Sequence, residues 1–146
     1  MNGSNGIPVN ETRLRVRYAE TDQMGVVYHS NHFIWFEMGR VELMRQMGFS
    51  YKVMESEDEC FIAVVDARCK YRSPALYDEE LIVRTTLKNV RESVIHFAYE
   101  LVRAGDGTLL AEGETTHIVT NREMKIRALP DKYLTAFRAA VKKQAP

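Results

Sequence analysis

Residues 18–32 read Tyr18-Ala19-Glu20-Thr21-Asp22-Gln23-Met24-Gly25-Val26-Val27-Tyr28-His29-Ser30-Asn31-His32, and the rest of the chain is organised around them. A strand-like run ends at the polar residues of this stretch, and Ser30 and Asn31 stand where helix N-caps stand, ahead of a long apolar segment. Asp22 and His29 therefore lie just before the start of a helix, where backbone N–H groups are unpaired and carry a partial positive charge.

Two interpretations of Asp22 follow from this position. An aspartate in a strand-to-helix connection is usually a turn or cap residue. An acid beside unpaired N–H donors is also the arrangement that acyl transfer needs, because an attacking or proton-accepting group then stands opposite a place for a developing oxyanion. Local chemistry alone leaves both interpretations open.

The segments on either side of this stretch predict a strand and a helix. Residues 12–18 alternate between apolar and arginine side chains, as a half-buried strand does. Residues 31–48 predict a helix with a broad apolar arc that suits a covering sheet, and Gly48 ends it. The apolar members of this arc are Phe33, Phe36, Val41, Leu43, Met44 and Met47. Glu37 and Arg40 lie three residues apart within the arc, a spacing that predicts an ion pair.

The second half of the chain predicts four consecutive strands. They cover residues 60–72, 80–88, 94–103 and 109–120, with a turn at 89–93 and a hairpin signal at 104–107. A short helix at 50–57 precedes them, and a terminal helix follows from Pro130. Strands joined by short turns predict an antiparallel sheet, so the fold class is α+β, with five strands against one long helix.

Length and composition indicate one domain. The chain has 146 residues, with 20 basic and 20 acidic side chains, which gives no indication of nucleic-acid binding. No apolar run is long enough to span a membrane. Residues 1–11 predict a flexible lead-in without the apolar core of a signal peptide, so we expect a single domain over 12–146 and a cytoplasmic location. The two cysteines and four histidines form no ligand pattern, and we expect neither a metal site nor a cofactor.

The pattern Tyr-x-Glu-Thr-Asp-x-Met-Gly-Val-Val-Tyr-His-x-Asn, followed by Phe-Glu-x-x-Arg, resembles the opening of hotdog-fold acyl-CoA thioesterases. The similarity is to the 4-hydroxybenzoyl-CoA thioesterase branch, and within it to the bacterial acyl-CoA thioester hydrolases associated with the Tol-Pal envelope system. It continues at residues 71–81 and 111–115 and covers about residues 12–138. The resemblance implies a five-stranded antiparallel sheet wrapped around one long central helix.

The resemblance also implies roles for individual residues. Asp22 would be the essential carboxylate, acting either as a nucleophile on the thioester carbonyl or as a general base on water. The backbone N–H of His29 would polarise the carbonyl oxygen, and the side chains of His29 and Tyr18 would orient substrate and carboxylate. Asn31 is interpreted either as structural or as substrate-binding. Glu37 is the alternative catalytic carboxylate, because another hotdog branch carries its carboxylate on this helix.

Coenzyme A carries several phosphate charges, so basic residues are expected along its groove. The candidates are Lys70, Arg72, Lys88, Arg91, Arg122, Lys125 and Arg127. Arg122, Lys125 and Arg127 are preferred as a cluster, because they directly follow the last strand. The segment 121–125 departs from the family in lacking a small, glycine-containing turn.

Three other functions remain open. They are a hotdog dehydratase, an acyl-carrier-protein thioesterase, and a non-catalytic module that binds acyl-CoA. The edges of an open sheet invite pairing, so we predict a homodimer, or a tetramer of two dimers, with the active site at the dimer interface.

Overall fold

A computed structural model describes residues 9–144 as one antiparallel sheet with three α-helices. The sheet has the strand order β1-β3-β4-β5-β2. Its strands are β1 (Asn10–Arg15), β2 (Phe61–Tyr71), β3 (Glu80–Val90), β4 (Val94–Arg103) and β5 (Leu109–Thr120). The helices are α1 (Asn31–Gln46), α2 (Tyr51–Asp58) and α3 (Asp131–Gln144), and a 3₁₀ turn spans Tyr18–Glu20. The predicted α+β class and five-stranded antiparallel sheet are confirmed.

The apolar face of the sheet covers α1. Alternate residues of β4, from Ile95 to Leu101, are fully buried on this face. Phe36 of α1 stacks on Tyr99 of β4 with ring centroids 4.5 Å apart. A Cβ atom at Gly113 of β5 would lie 2.3 Å from the Phe36 ring, so only glycine lets the sheet approach the helix this closely.

Several predicted boundaries need correction. The first strand ends at Arg15 rather than at residue 18, because Val16 pairs with the loop before β3 and Arg17 begins the 3₁₀ turn. Tyr18 is therefore 77% exposed and does not share the buried face of Leu14. The third strand runs two residues further than predicted, to Val90, after a bulge in its pairing with β4.

The predicted ion pair between Glu37 and Arg40 is wrong. Arg40 is buried and donates from Nη1 to the Tyr99 hydroxyl at 3.1 Å, whereas Glu37 is exposed and pairs with no cation among residues 9–142. Gly39 explains why Arg40 lies on the buried side of the helix. A Cβ atom at Gly39 would lie 2.2 Å from Oγ1 of Thr85, so the sheet approaches closely only because this residue is glycine. The sheet packs against this glycine and so turns Arg40 inward. The buried face of α1 is His32, Trp35, Phe36, Gly39, Arg40, Leu43 and Met44.

The ends of the chain and of the sheet complete the fold. The predicted lead-in lies outside the described residues as far as residue 8, and β1 already begins at Asn10. Strand β2 forms one edge of the sheet, and Val64 and Val65 near its centre are 52% and 53% exposed. Among residues 9–144, no helix has both the length and the hydropathy that crossing a bilayer requires.

Candidate active site

The loop that carries Asp22 joins the 3₁₀ turn to α1. Oδ1 of Asp22 accepts hydrogen bonds from the backbone N–H groups of Met24 at 2.8 Å and Val26 at 3.4 Å. Within residues 9–142, the other oxygen, Oδ2, accepts none. The Val27 N–H donates to the carbonyl of Ala75 at 2.9 Å and holds the loop against the segment before β3. Asp22 therefore closes its own turn with one oxygen and keeps the other available on a half-buried side chain.

Glu20 joins this loop to the start of α1. Its carboxylate is buried and accepts hydrogen bonds from the Arg17 N–H at 2.7 Å and from Nε1 of Trp35 at 3.2 Å. Its backbone carbonyl accepts from the Tyr28 N–H at 2.8 Å and from Nδ2 of Asn31 at 2.9 Å. The two ends of the Asp22 loop are thus tied to one residue, which limits how far Asp22 can move relative to the helix.

His29 stands at the point where the loop becomes the helix. In the described part of the chain, its backbone N–H donates to no acceptor. Its carbonyl, by contrast, accepts from the Tyr71 hydroxyl at 2.9 Å and from Nδ1 of His32 at 3.0 Å. The imidazole of His29 is exposed and lies against the ring of Tyr28, with centroids 4.5 Å apart. The loop therefore presents an unpaired N–H donor and an unpaired carboxylate oxygen from one continuous stretch.

Of the two remaining candidates, Asn31 contacts the Asp22 loop and Tyr18 lies before it. Asn31 uses its amide N–H to brace the Glu20 carbonyl, so its contact is structural here. Tyr18 precedes the loop, and its ring packs edge-on against Tyr77 with centroids 5.7 Å apart. No hydrogen bond joins the Tyr18 side chain to Asp22 in the part of the chain that the structure describes.

The basic residues Arg122, Lys125 and Arg127 lie at a different place. The guanidinium of Arg122 lies over the ring of Phe61, 5.5 Å from its centroid, where β2 begins. Arg127 donates from Nη1 to the carbonyl of Asp58 at 2.9 Å. Lys125 forms no ion pair with any described residue. The structure does not bring this cluster to the Asp22 loop of the same chain, because Tyr71, which contacts His29, is at the opposite end of β2.

A second group of polar residues is buried in the core, away from the loop. The Tyr99 hydroxyl, which accepts from Arg40, is 2.6 Å from Oγ1 of Thr115, and that oxygen is 2.8 Å from Nε2 of His117. Burial, together with the nearby charges of Arg40 and His96, lowers the pKa of His117 to about 3. Among residues 9–144, no three His, Cys, Asp or Glu side chains are grouped as metal ligands.

Sequence reasoning missed the residues that hold the site together. Glu20 lies three residues after Arg17, which is the spacing of a capping interaction. This local spacing could have predicted the contact of Glu20 with the Arg17 N–H. Tyr71 contacts His29 from 42 positions away, and no local pattern predicts that contact.

Comparison with known proteins identifies the family of this architecture. A family model described as "Thioesterase-like superfamily" matches residues 16–141. The putative acyl-CoA thioesterase YneP of Bacillus subtilis is 34% identical over 139 residues, covering 92% of this chain and 99% of the relative. The acyl-CoA thioester hydrolase YbgC of Escherichia coli O6:H1 is 33% identical over 126 residues, covering 86% and 92%.

Solved structures agree with this relationship. A DHNA-CoA thioesterase from Staphylococcus aureus superposes with a TM-score of 0.83 at 32% identity, covering 92% of this chain and 89% of that chain. The likeness confirms the predicted hotdog fold.

Proposed function

This chain belongs to the thioesterase-like superfamily, and we propose that it hydrolyses acyl-CoA thioesters to a free acid and coenzyme A, with Asp22 as the reacting carboxylate. Relatives that it matches over most of their length are named acyl-CoA thioesterases and thioester hydrolases. One observation carries the assignment of Asp22: its Oδ2 and the backbone N–H of His29 are both unpaired among the described residues, within one braced loop.

The two unpaired groups suit two parts of the reaction: the N–H can stabilise the developing oxyanion, and the carboxylate oxygen can attack the carbonyl carbon or activate water. The carbonyl oxygen of the thioester would accept the His29 N–H as negative charge develops on it, and one such donor is typically worth ~10²–10³ in rate. Oδ2 of Asp22 would either attack the carbonyl carbon, releasing the coenzyme A thiolate and leaving an anhydride for water to cleave, or take a proton from the attacking water. Both routes use the same oxygen, and both remain within the proposal.

The variant Asp22→Asn tests this assignment. The amide oxygen of asparagine can still accept from Met24 and Val26, so the loop and acyl-CoA binding should survive. Losing a nucleophile or a general base should lower kcat by at least ~10²–10⁴. His29→Ala should cost less, because alanine keeps the backbone N–H.

Glu37→Gln is the matched comparison for a carboxylate on the helix. Glu37 is exposed and lies six residues into α1, about 9 Å along the axis from its first residue. We expect Glu37→Gln to keep its activity. If Asp22→Asn stays within about tenfold of the unmodified protein, a ~1.4 kcal/mol effect, while Glu37→Gln is folded and inactive, the assignment of Asp22 is wrong. Binding without turnover over short, medium, long and aromatic acyl-CoA esters would instead indicate a non-catalytic module.

We also propose that two copies pair through β2. This 11-residue edge strand has unpaired backbone groups along one side, and its central residues, Val64 to Arg68, are exposed. An antiparallel pair centred near Asp66 would bring residue 61 of one copy opposite residue 71 of the other. Light scattering at assay concentrations should show a dimer or a tetramer of two dimers, and an active monomer would contradict the pairing.

This pairing gives the basic cluster a place in the site. Within one chain, Phe61 and Tyr71 are separated by about 30 Å of strand, at 3.3 Å per residue. In the proposed dimer, Arg122, Lys125 and Arg127 of one copy approach the Asp22 loop of the other, where they can contact the phosphates of coenzyme A. We also propose that the protein is cytoplasmic, because its proposed substrates are thioesters of coenzyme A.

A further inference from the structure

Three donor atoms lie within hydrogen-bonding distance of the carbonyl oxygen of His29. The Tyr71 hydroxyl donates to it at 2.9 Å, Nδ1 of His32 lies 3.0 Å away, and the backbone N–H of His32 lies at 3.4 Å. These donors come from two elements, because Tyr71 ends β2 and His32 lies in the first turn of α1. A single backbone oxygen therefore joins the edge of the sheet to the start of the helix.

The protonation states of His32 and Tyr71 make both side chains hydrogen-bond donors to this oxygen. A carbonyl oxygen only accepts hydrogen bonds, so Nδ1 of His32 must carry its proton. His32 is 3% exposed, and burial lowers its pKa, which keeps the ring neutral with the proton on Nδ1. Burial and the neighbouring Cys69 raise the pKa of Tyr71 to about 12, so its hydroxyl remains a donor near neutral pH. The rings of His32 and Tyr71 also pack edge to face, with centroids 4.8 Å apart.

We propose that Tyr71 and His32 are positioning residues for thioester hydrolysis, because they hold the carbonyl of His29 and so fix the backbone whose N–H faces the substrate carbonyl. This inference rests on the proposed function. Neither side chain touches the reacting atoms in this role. Each acts through the carbonyl of His29, while the Glu20 carbonyl holds Tyr28 and Asn31 on either side of His29 in the chain.

The physical reason lies in the geometry of the peptide. Each peptide unit is planar, so the His29 N–H lies in the plane of the Tyr28 carbonyl, which accepts from the Asn31 N–H at 3.0 Å. The His29 carbonyl lies in the next plane, and holding both planes limits rotation about the backbone bonds of His29. Rotation at His29 would swing its N–H away from the developing oxyanion, and a misplacement of 1 Å can cost about 10²-fold in rate. Fixing the carbonyl with side chains from β2 and α1 keeps this donor in place before the substrate binds.

Tyr71→Phe tests the role of the hydroxyl. The phenyl ring keeps the packing on His32 and removes the hydroxyl that donates to the His29 carbonyl and contacts Cys69. We expect kcat for acyl-CoA to fall about tenfold while KM stays within about twofold, because the lost contact acts on the transition state. Tyr77→Phe is the matched control, since the Tyr77 hydroxyl makes no hydrogen bond with any residue from 9 to 142, and it should leave both constants unchanged.

His32 provides a second and independent test. His32→Asn places an amide N–H near the position of Nδ1 and should keep kcat within about threefold, whereas His32→Leu removes the donor and should lower kcat about tenfold. Melting temperatures measured beside the kinetics separate misfolding from misplacement. A Tyr71→Phe variant with unchanged kcat, or with a raised KM alone, would overturn the role of Tyr71. Equal losses in His32→Asn and His32→Leu would overturn the role of His32.

These outcomes are distinct from a failure of the proposed function. If the unmodified protein binds acyl-CoA without hydrolysing it, or if Asp22→Asn remains active, the assignment of the reaction fails. If the unmodified protein turns over and Asp22→Asn does not, the kinetics of the Tyr71 and His32 variants decide the positioning role alone.

Discussion

The indole Nε1–H of Trp35 donates a hydrogen bond of 3.2 Å to the buried carboxylate of Glu20, 15 residues earlier in the chain. Burial by itself raises the pKa of Glu20, but hydrogen bonds from Arg17 and Trp35 outweigh it and lower that pKa below its ordinary value. The carboxylate is therefore stable inside the protein, and it anchors the Asp22 loop to the central helix.

Glu20→Gln should destabilise the fold. Removing one partner of a buried, charged hydrogen-bond group costs about 1–3 kcal/mol in the free energy of unfolding. Glu42→Gln is the control, because Glu42 pairs with Arg45 on the helix surface and such pairs contribute about 0–1 kcal/mol. Urea denaturation measures both, and equal losses in the two variants would show that Glu20 is not an anchor.

The lowered pKa of Glu20 predicts that the stability of the fold decreases at acidic pH. The folded pKa of Glu20 lies below its unfolded value, so Glu20 stabilises the fold above the unfolded pKa and this contribution disappears as the pH falls through the folded pKa. The stability of Glu20→Gln should therefore fall less steeply in acid than that of the unmodified protein. Urea denaturation of both proteins at a series of acidic pH values measures the two slopes.

His117→Gln should remove a different part of the pH dependence. The pKa of His117 is lowered from 6.5 to about 3, so between these values the unfolded state binds more protons than the folded state. The contribution of neutral His117 to the free energy of unfolding is fully present above pH 6.5. As the pH falls below 6.5, this contribution decreases by up to ~1.4 kcal/mol per pH unit. Gln can still contact Thr115 but does not titrate. Denaturation across this window should show a shallower slope for His117→Gln, and identical slopes would contradict the prediction.

Gly113→Ala should strain the contact between helix and sheet. The added Cβ would lie 2.3 Å from the Phe36 ring and 2.8 Å from a backbone carbonyl of β2, and overpacking of this kind costs about 1–3 kcal/mol. Gly105→Ala is the control, because a Cβ atom there would meet nothing within 4 Å apart from its chain neighbours, and the change should stay within about 0.5 kcal/mol. Thermal unfolding of both variants measures the difference, and equal melting temperatures would contradict the close approach.

Mixed dimers test whether the basic cluster acts across the interface. Neutralising Arg122, Lys125 and Arg127 together should raise KM for acyl-CoA with little change in kcat, and should barely affect a short pantetheine thioester, because these contacts are equal in ground and transition states. When this triple variant is mixed with Asp22→Asn, one site of each mixed dimer has both an intact Asp22 and an intact cluster from the partner. Low-KM activity should therefore return on mixing.

Two results would argue against this arrangement. If Asp22 and the cluster of the same chain formed one site, mixing would restore no low-KM activity. If the triple variant lost equal activity on acyl-CoA and on the pantetheine thioester, the cluster would not contact the phosphates at all.

Local sequence patterns were enough to predict most of the helices and strands and the loop that carries the candidate chemistry. Alternation and turn signals gave β4 and β5 their observed limits, Val94–Arg103 and Leu109–Thr120, because strand periodicity and hairpin residues are local properties. The position of Asp22 before the start of α1 was also visible locally.

Local patterns could not predict which polar groups contact one another, because those contacts form only when the chain is packed. Apolar periodicity placed Arg40 beside Glu37, but the close approach of the sheet to Gly39 turned Arg40 to Tyr99 and left Glu37 exposed. The Trp35–Glu20 and Tyr71–His29 contacts join residues 15 and 42 positions apart. A buried donor takes whichever acceptor the packed chain brings near it, and that depends on the whole sheet and helix rather than on neighbouring residues.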